Sequence, residues 1–241
     1  MGGDGAVLEG SLCCNACGRQ YPVSDGILRA MPSRLLAEQK REIRARDDQV
    51  DQYEAMWYLN LFGLVEIPMT LRRLAIEPAC RVLEAGCGTG RMTSRIAAAA
   101  RDLVSIDFSY ESLRVTREKG LMSGAKNIDL VQADLCNLPF KDCTFDRVVS
   151  CQVLEHIPGD EARSAAIEGL ARVARQSGRV VVSAYQHTVF TSVKQGEHDG
   201  GIPFFRFTRP ELEALLSAHL RVDSITGSLV YIHLAQCSKE A

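Results

Sequence analysis

From about residue 70 onward, short β-branched runs alternate with longer stretches of helical pattern, and nothing else in the chain restricts its fold as much. Arg81–Ala85, Leu103–Ile106, Ile128–Gln132, Phe145–Cys151 and Arg179–Tyr185 read as strands. Between them lie helical stretches: Met92–Ala100, a segment capped by Ser109 and running toward Gly120 and Gly124, and Glu161–Arg175 with Gly178 as its stop. Thr208-Arg209-Pro210-Glu211 has the form of a capping box with proline in the first turn, opening a helix to about His219. Leu220–Thr226 and Leu229–Ala235 form a closing strand pair around Gly227 and Ser228. Strands separated by helices of this length make βαβ units, hence an α/β domain whose parallel sheet is covered on both faces. Such sheets bind ligands beyond the carboxyl ends of their strands, so function is to be sought in the loops that follow them.

Two zones of different texture come before this pattern. Residues 1–32 are rich in glycine and cysteine and contain Pro22 and Pro32. Residues 33–69 are dense in mixed charge from Lys40 to Asp51, with Leu36, Ile43 and Val50 as apolar anchors of a solvated helix. The three zones give a small N-terminal appendage (1–32), a helical lid or linker (33–69) and a main domain (70–241). There is no internal repeat.

The chain has 241 residues, 46% apolar and 24% charged, with a formal charge of −2. That near-neutral balance provides no electrostatic footprint for nucleic acid. No apolar run reaches the ~20 residues needed to span a bilayer. The acidic, glycine-rich start lacks the features of a secretory signal, and Ala6 replaces the Ser or Thr that myristoylation of Gly2 favours. Nine cysteines without an export signal read as reduced thiols, and the expected compartment is the cytoplasm.

The loop after the first main-domain strand is Glu84-Ala85-Gly86-Cys87-Gly88-Thr89-Gly90. Glycines at alternate positions let the backbone turn tightly and bring a ligand against bare main chain at a helix start. Taken alone, the loop reads equally as a tight strand-to-helix turn. It is not a nicotinamide fingerprint, because the third glycine of G-x-G-x-x-G falls on Arg91 or Thr93. Acids close the neighbouring strands. Asp107 is placed to accept both hydroxyls of a ribose, Asp134 to accept from an adenine amine, and Glu84 to meet a cationic amino group. Each acid alone also reads as a cap or surface residue; together, at successive strand ends, they describe a nucleoside site.

Val82-Leu83-Glu84-Ala85-Gly86-Cys87-Gly88-Thr89-Gly90, Ser105-Ile106-Asp107-Phe108-Ser109, Ala133-Asp134-Leu135 with Leu138-Pro139-Phe140, Phe145-Asp146-Arg147-Val148-Val149 and Val153-Leu154-Glu155-His156-Ile157 resemble the ordered motifs of class I S-adenosylmethionine-dependent methyltransferases, in particular the quinone-biosynthesis and small-molecule group. The resemblance covers residues 70–241. It implies a Rossmann-like doubly wound sheet of seven strands, the last antiparallel, with S-adenosyl-L-methionine as cofactor. It places Gly86, Cys87, Gly88 and Gly90 at the methionine part, Glu84 at its amino group and Asp107 at the ribose. Phe108 lies against the adenine, Asp134 and the Leu135 amide lie at the adenine edge, and Gln152 closes the pocket.

Methyl transfer depends mainly on positioning, and a neutral hydroxyl acceptor also needs a base. His156 is the best-placed histidine, with a structural role as its alternative; His187 and His198 are weaker candidates. The insertion Gln186–Phe207 carries Gly196, Gly200, Gly201 and Phe190, Phe204, Phe205 and Phe207. It reads as a cover over a small-molecule acceptor or as a loop anchored to the core. Tyr53, Trp57 and Tyr58 in the charged segment offer the other half of a cover.

Cys14-Asn15-Ala16-Cys17-Gly18, with Tyr21-Pro22 and Asp25-Gly26-Ile27, resembles half of a zinc ribbon. A closed zinc site needs four ligands, and Cys13 only adjoins this single pair, so a metal-free remnant is expected, with zinc shared between subunits as the alternative. Three functions are weighed: small-molecule methylation, RNA methylation and cofactor binding without turnover. The acidic balance argues against RNA. So does Cys151-Gln152-Val153-Leu154, which lacks the Asn/Asp-Pro-Pro-aromatic segment of nucleic-acid amino-methylating relatives.

Overall fold

The computed structural model describes residues 7–32, 37–55, 57–189, 191, 193–198, 201–228 and 231–239. Leu36, Phe190, Gly200 and the side chains of Asp51, Tyr53, Trp57 and Tyr58 lie outside the described set.

The expected alternation is present. Strands β4 (Arg81–Ala85), β5 (Asp102–Asp107), β6 (Ile128–Gln132), β7 (Phe145–Cys151) and β8 (Ala174–Tyr185) run parallel, with helices α3 (Thr93–Ala99), α4 (Tyr110–Met122) and α5 (Asp160–Val173) between them. Helix α6 (Arg209–Ser217) leads to β11 (Arg221–Ser228) and β12 (Ile232–Ser238). β12 inserts antiparallel between β8 and β11, giving the order β6-β5-β4-β7-β8-β12-β11. This is the seven-stranded Rossmann-like sheet that the motifs imply. Val148, Val180, Val182 and Leu83 are fully buried, as befits strands covered on both faces.

Three strands precede it: β1 (Gly10–Cys13), β2 (Gln20–Ser24) and β3 (Ile27–Arg29). The β2–β3 hairpin turns on Asp25 and Gly26, both at positive φ (52° and 70°), as a tight two-residue turn demands. β3 then pairs in parallel with β6, Ile27 against Leu130, and Ile27 is fully buried. The segment expected as an appendage therefore continues the main sheet, which reaches ten strands.

The charged segment forms two helices, α1 (Ala37–Ala55) and α2 (Trp57–Leu74). A short hairpin, β9 (Gln195–His198) with β10 (Ile202–Phe205), occupies the insertion.

Two boundaries differ from the sequence reading. Gly178 lies inside β8 rather than after a helix: Phe145 already pairs with Ala174, so the edge of β7 draws the chain into strand five residues early, and Ser177 absorbs the bend at φ 56°. Gly227 likewise lies within β11, where a Cβ would sit 3.0 Å from the Gln186 side chain, so its glycine serves a close approach rather than a turn. The capping box of α6 is present, Glu211 accepting from the Thr208 amide and hydroxyl at 2.8 Å each.

Candidate active site

The β4 loop turns on Gly86, Gly88 and Gly90, all at positive φ (82°, 54° and 80°). A Cβ on Gly86 would stand 2.2 Å from Val153 and one on Gly90 would stand 3.0 Å from Thr116, so both are glycines for packing. A Cβ on Gly88 would meet nothing within 4 Å. Main chain bare on that side is what a bulky ligand needs for close approach. The Gly86 and Cys87 amides donate to the Ile106 carbonyl (2.8 and 2.9 Å), and Thr116 Oγ1 donates to the Gly88 carbonyl at 2.8 Å, which fixes the loop against β5 and α4.

Asp107 ends β5. Its Oδ2 accepts from the Gly88 amide at 2.8 Å and its Oδ1 from the Ser109 amide at 2.9 Å. Burial raises its carboxyl, while those amides and the nearby Arg46 pull it down. Each carboxylate oxygen keeps a further lone pair for a donor such as a ribose hydroxyl.

Asp134 caps the 3-10 turn Leu135–Asn137, Oδ1 accepting from the Cys136 amide at 2.9 Å, and its Oδ2 accepts from Gln39 of α1 at 3.0 Å. Phe108 is half-buried beside Asp107, and its carbonyl accepts from Gln132. Glu84 is buried, its Oε2 accepting from Thr93 and Ser105 hydroxyls at 2.7 Å each; burial pushes its carboxyl up to about 7 against those bonds. Cys87 is buried, and its thiol is pushed well above its ordinary range by burial and by Asp107 and Glu84. It is therefore a neutral thiol.

Across β7, Gln152 adopts φ 57° and its amide donates to Ser183. Its side chain donates to Glu66 of α2 at 2.6 Å, and Glu66 also accepts from Arg91 (3.1 Å) and Ser183 (3.2 Å). Glu66, only 2% exposed, thus joins α2 to the glycine loop, β7 and β8. The sequence reading did not find it. Its one signal is a single acid in the apolar run Gly63–Ile67.

Helix α1 lies beside Asp107 and Asp134. Besides Gln39, its Asp47 accepts from the Ser109 hydroxyl at 2.5 Å, and its Arg46, paired with Glu42 at 3.4 Å, is near enough to favour the charged form of Asp107.

The other end of the cleft is aromatic. His156 closes the 3-10 turn Leu154–His156 and is 7% exposed. Its ring centroid lies 5.6 Å from Tyr185 and 5.7 Å from His198, and His198 packs on Phe204 at 4.6 Å. Tyr231 lies 5.0 Å from Tyr185. Nδ1 of His156 is 2.9 Å from the Pro203 carbonyl. A carbonyl only accepts, so Nδ1 carries the proton and Nε2 presents its lone pair. Burial holds this imidazole neutral, down to about 3, with Arg46 adding in the same direction. His187, at the start of the insertion, stands near Thr191 and outside this group.

The three N-terminal cysteines sit in a knuckle, the Gly18 amide donating to the Cys14 carbonyl at 2.8 Å. The amides of Cys17 and Ala16 lower the half-buried Cys14 thiol. Among the described residues no three His, Cys, Asp or Glu side chains group as metal ligands do. None of the described helices is long and apolar enough to cross a membrane.

Residues 83–182 match the family model described as a methyltransferase domain. Residues 83–182 thus carry a methyltransferase domain, and the chain is similar to S-adenosylmethionine-dependent methyltransferases. One relative, named "Probable S-adenosylmethionine-dependent methyltransferase", from Mycobacterium tuberculosis, is 36% identical over 170 residues, covering 69% of this chain and 54% of that one. A demethylmenaquinone methyltransferase of Renibacterium salmoninarum is 33% identical over 124 residues, covering 49% of each. The chain thus spans about half the length of these relatives. Among solved structures, the DhpI complex with S-adenosylhomocysteine superposes with a TM-score of 0.65 at 22% identity, covering 84% of this chain and 97% of the other. The family's cofactor is S-adenosylmethionine, and the open cradle at Gly88 beside the Asp107 carboxylate suits a nucleoside of that kind.

Proposed function

We propose that this protein methylates a small-molecule hydroxyl acceptor, with the nucleoside end of the cleft holding the cofactor and the aromatic end holding the acceptor. The observation that carries this reading is the convergence of Gly88, Asp107 and Asp134 on one side of the sheet's carboxyl edge and of His156 on the other. Asp107 binds the ribose, Asp134 and the Leu135 amide bind the adenine edge, Phe108 lies along the adenine face, and Gly88, in a loop turned by Gly86 and Gly90 and anchored by Cys87, leaves room for the methionine part. Gln152, held by Glu66, closes that pocket. Glu84 acts from beneath the loop, keeping Thr93 and Ser105 in place.

When bound, S-adenosylmethionine supplies an electrophilic methyl group whose carbon–sulfur electron pair departs with sulfur. The protein's part is to hold the acceptor oxygen in line at about 3 Å, which supplies ~7–11 kcal/mol of the barrier. His156 accepts the hydroxyl proton at Nε2 while its Nδ1–H goes on donating to the Pro203 carbonyl, which fixes the ring's orientation. α1 and the β9–β10 hairpin, which touch one another, cover the two halves and exclude water.

The test is transfer of labelled methyl from S-adenosylmethionine to a panel of phenols, enols, amines and carboxylic acids. Labelled hydroxyl acceptors, with turnover reduced in His156→Gln at unchanged cofactor affinity, support the reading. Label only on nitrogen, or on RNA, overturns it.

A further inference from the structure

Beside the histidine cluster lies a cavity of about 410 Å³, walled by the N-terminus of α5, the β9–β10 hairpin and the residues flanking His156. It adjoins the proposed acceptor end directly: Pro203, whose carbonyl holds His156, and Phe204, which packs on His198, both line it. Its polar equipment is unusual. Arg163 is only 8% exposed, yet its Nε finds no partner among the described residues; the guanidinium stacks on Phe205 at 4.4 Å and gives NH1 to Asp160 at 2.8 Å. Glu155 is 1% exposed, and neither carboxyl oxygen has a hydrogen-bond partner among the described residues. α5 begins at Gly159, which has no side chain to cap the helix, so first-turn amides are left at the cavity's edge.

Leaving a buried polar atom without a partner is costly, and such atoms gathered in one cavity mark a place suited to a polar ligand. Arg163 Nε–H and the α5 amides are donors, with the helix dipole adding positive potential. Burial pushes the Glu155 carboxyl up to about 8, so at neutral pH it too is a donor. Glu197 and Asp160 are the acids nearby; Asp160 is solvent-exposed and already paired with Arg163.

Resting on the reading above, we infer that this cavity is a carboxylate subsite, in which Arg163, Glu155 and the α5 N-terminus bind a carboxylate carried by the acceptor while its hydroxyl faces His156. The acceptor class is then a hydroxy acid with an apolar or aromatic body, the body lying against Phe204.

The experiment measures binding rather than turnover, and so stands apart from whether methyl is transferred. Calorimetry on the full chain compares phenylacetate, its isostere phenylacetamide, and acetate. Phenylacetate is expected to bind at least about tenfold more tightly than the amide, as a charge-assisted hydrogen bond supplies. Arg163→Met should abolish that preference, and Arg163→Lys should reduce it, with unchanged binding of S-adenosylhomocysteine showing that the fold holds. Equal binding of acid and amide by the wild-type protein overturns the inference and needs no variant. Acetate binding as tightly as phenylacetate also overturns it, since the site would then serve a free anion.

Discussion

The two ends of the cleft are built by different means. The nucleoside end is local: each of its groups sits within a few residues of the strand that presents it, and Asp107 reaches Gly88 only because β4 and β5 are neighbours. The aromatic end is assembled from afar, with His156 from the β7 loop, Tyr185 from β8, His198 and Phe204 from the hairpin and Tyr231 before β12. One end is fixed by motif, the other by packing. A cofactor common to a family sits well in the first kind of site, and an acceptor that varies suits the second.

Substitutions should separate the two ends. The largest effect is expected from Gly86→Ala. Its Cβ would overlap Val153, and overpacking costs ~1–3 kcal/mol. Left-handed backbone adds ~1–2 kcal/mol. Denaturant unfolding should show a midpoint lowered accordingly and cofactor binding lost. Gly88→Ala carries only the backbone penalty and should fold while binding cofactor poorly; equal behaviour of the two variants would erase the distinction between packing glycine and ligand glycine.

Asp107→Ala should weaken cofactor binding by ~1–3 kcal/mol, and His156→Gln should leave it unchanged. If both variants moved cofactor affinity alike, the two ends would not be separate sites.

The ends also differ in how they respond to pH. His156 is held neutral to about 3 in the fold, whereas an unfolded histidine titrates near its ordinary value. Between those values the unfolded state binds the extra proton, so stability falls as pH drops from the mid-sixes toward 3. Glu155 and Glu84, raised to about 8 and about 7, act oppositely: the folded state keeps protons that the unfolded state releases, so stability falls as pH rises from 4.5 through those values. With two such carboxyls set against one imidazole, melting temperature should peak near pH 4.5 and decline above it. Glu155→Gln should raise it most at pH 8 and little at pH 5. A rise of equal size at both would show that Glu155 ionises normally.

The smallest effect is assigned to Gln39→Ala, which removes the α1 tether to Asp134. About 1 kcal/mol is expected, seen as faster release of S-adenosylhomocysteine in stopped flow with melting nearly unchanged. An unchanged release rate would detach α1 from the cofactor end.

The same contrast explains what could be read from residues alone. Period-2 and helical runs, Gly-x-Gly-x-Gly after a strand, and acids closing successive strands are short-range patterns, and they carried the seven-stranded sheet and brought Asp107 and Asp134 to its carboxyl edge. Glu66 was illegible because a lone acid in an apolar helix gives no sign of Arg91, Gln152 and Ser183 far along the chain. Gly178 and Gly227 misled for a related reason: strand pairing overrode their usual role as stops. The parallel docking of β3 on β6 joins segments a hundred residues apart, and only their shared burial reveals it.

The central claim is that the tips of β4, β5 and β6 hold the cofactor. Calorimetric titration of S-adenosylhomocysteine into the full chain tests it most directly. One site per chain, with affinity falling about 5- to 150-fold in Asp107→Ala, is the predicted result. Absence of binding to the wild-type protein, or identical binding by wild type and Asp107→Ala, would contradict it.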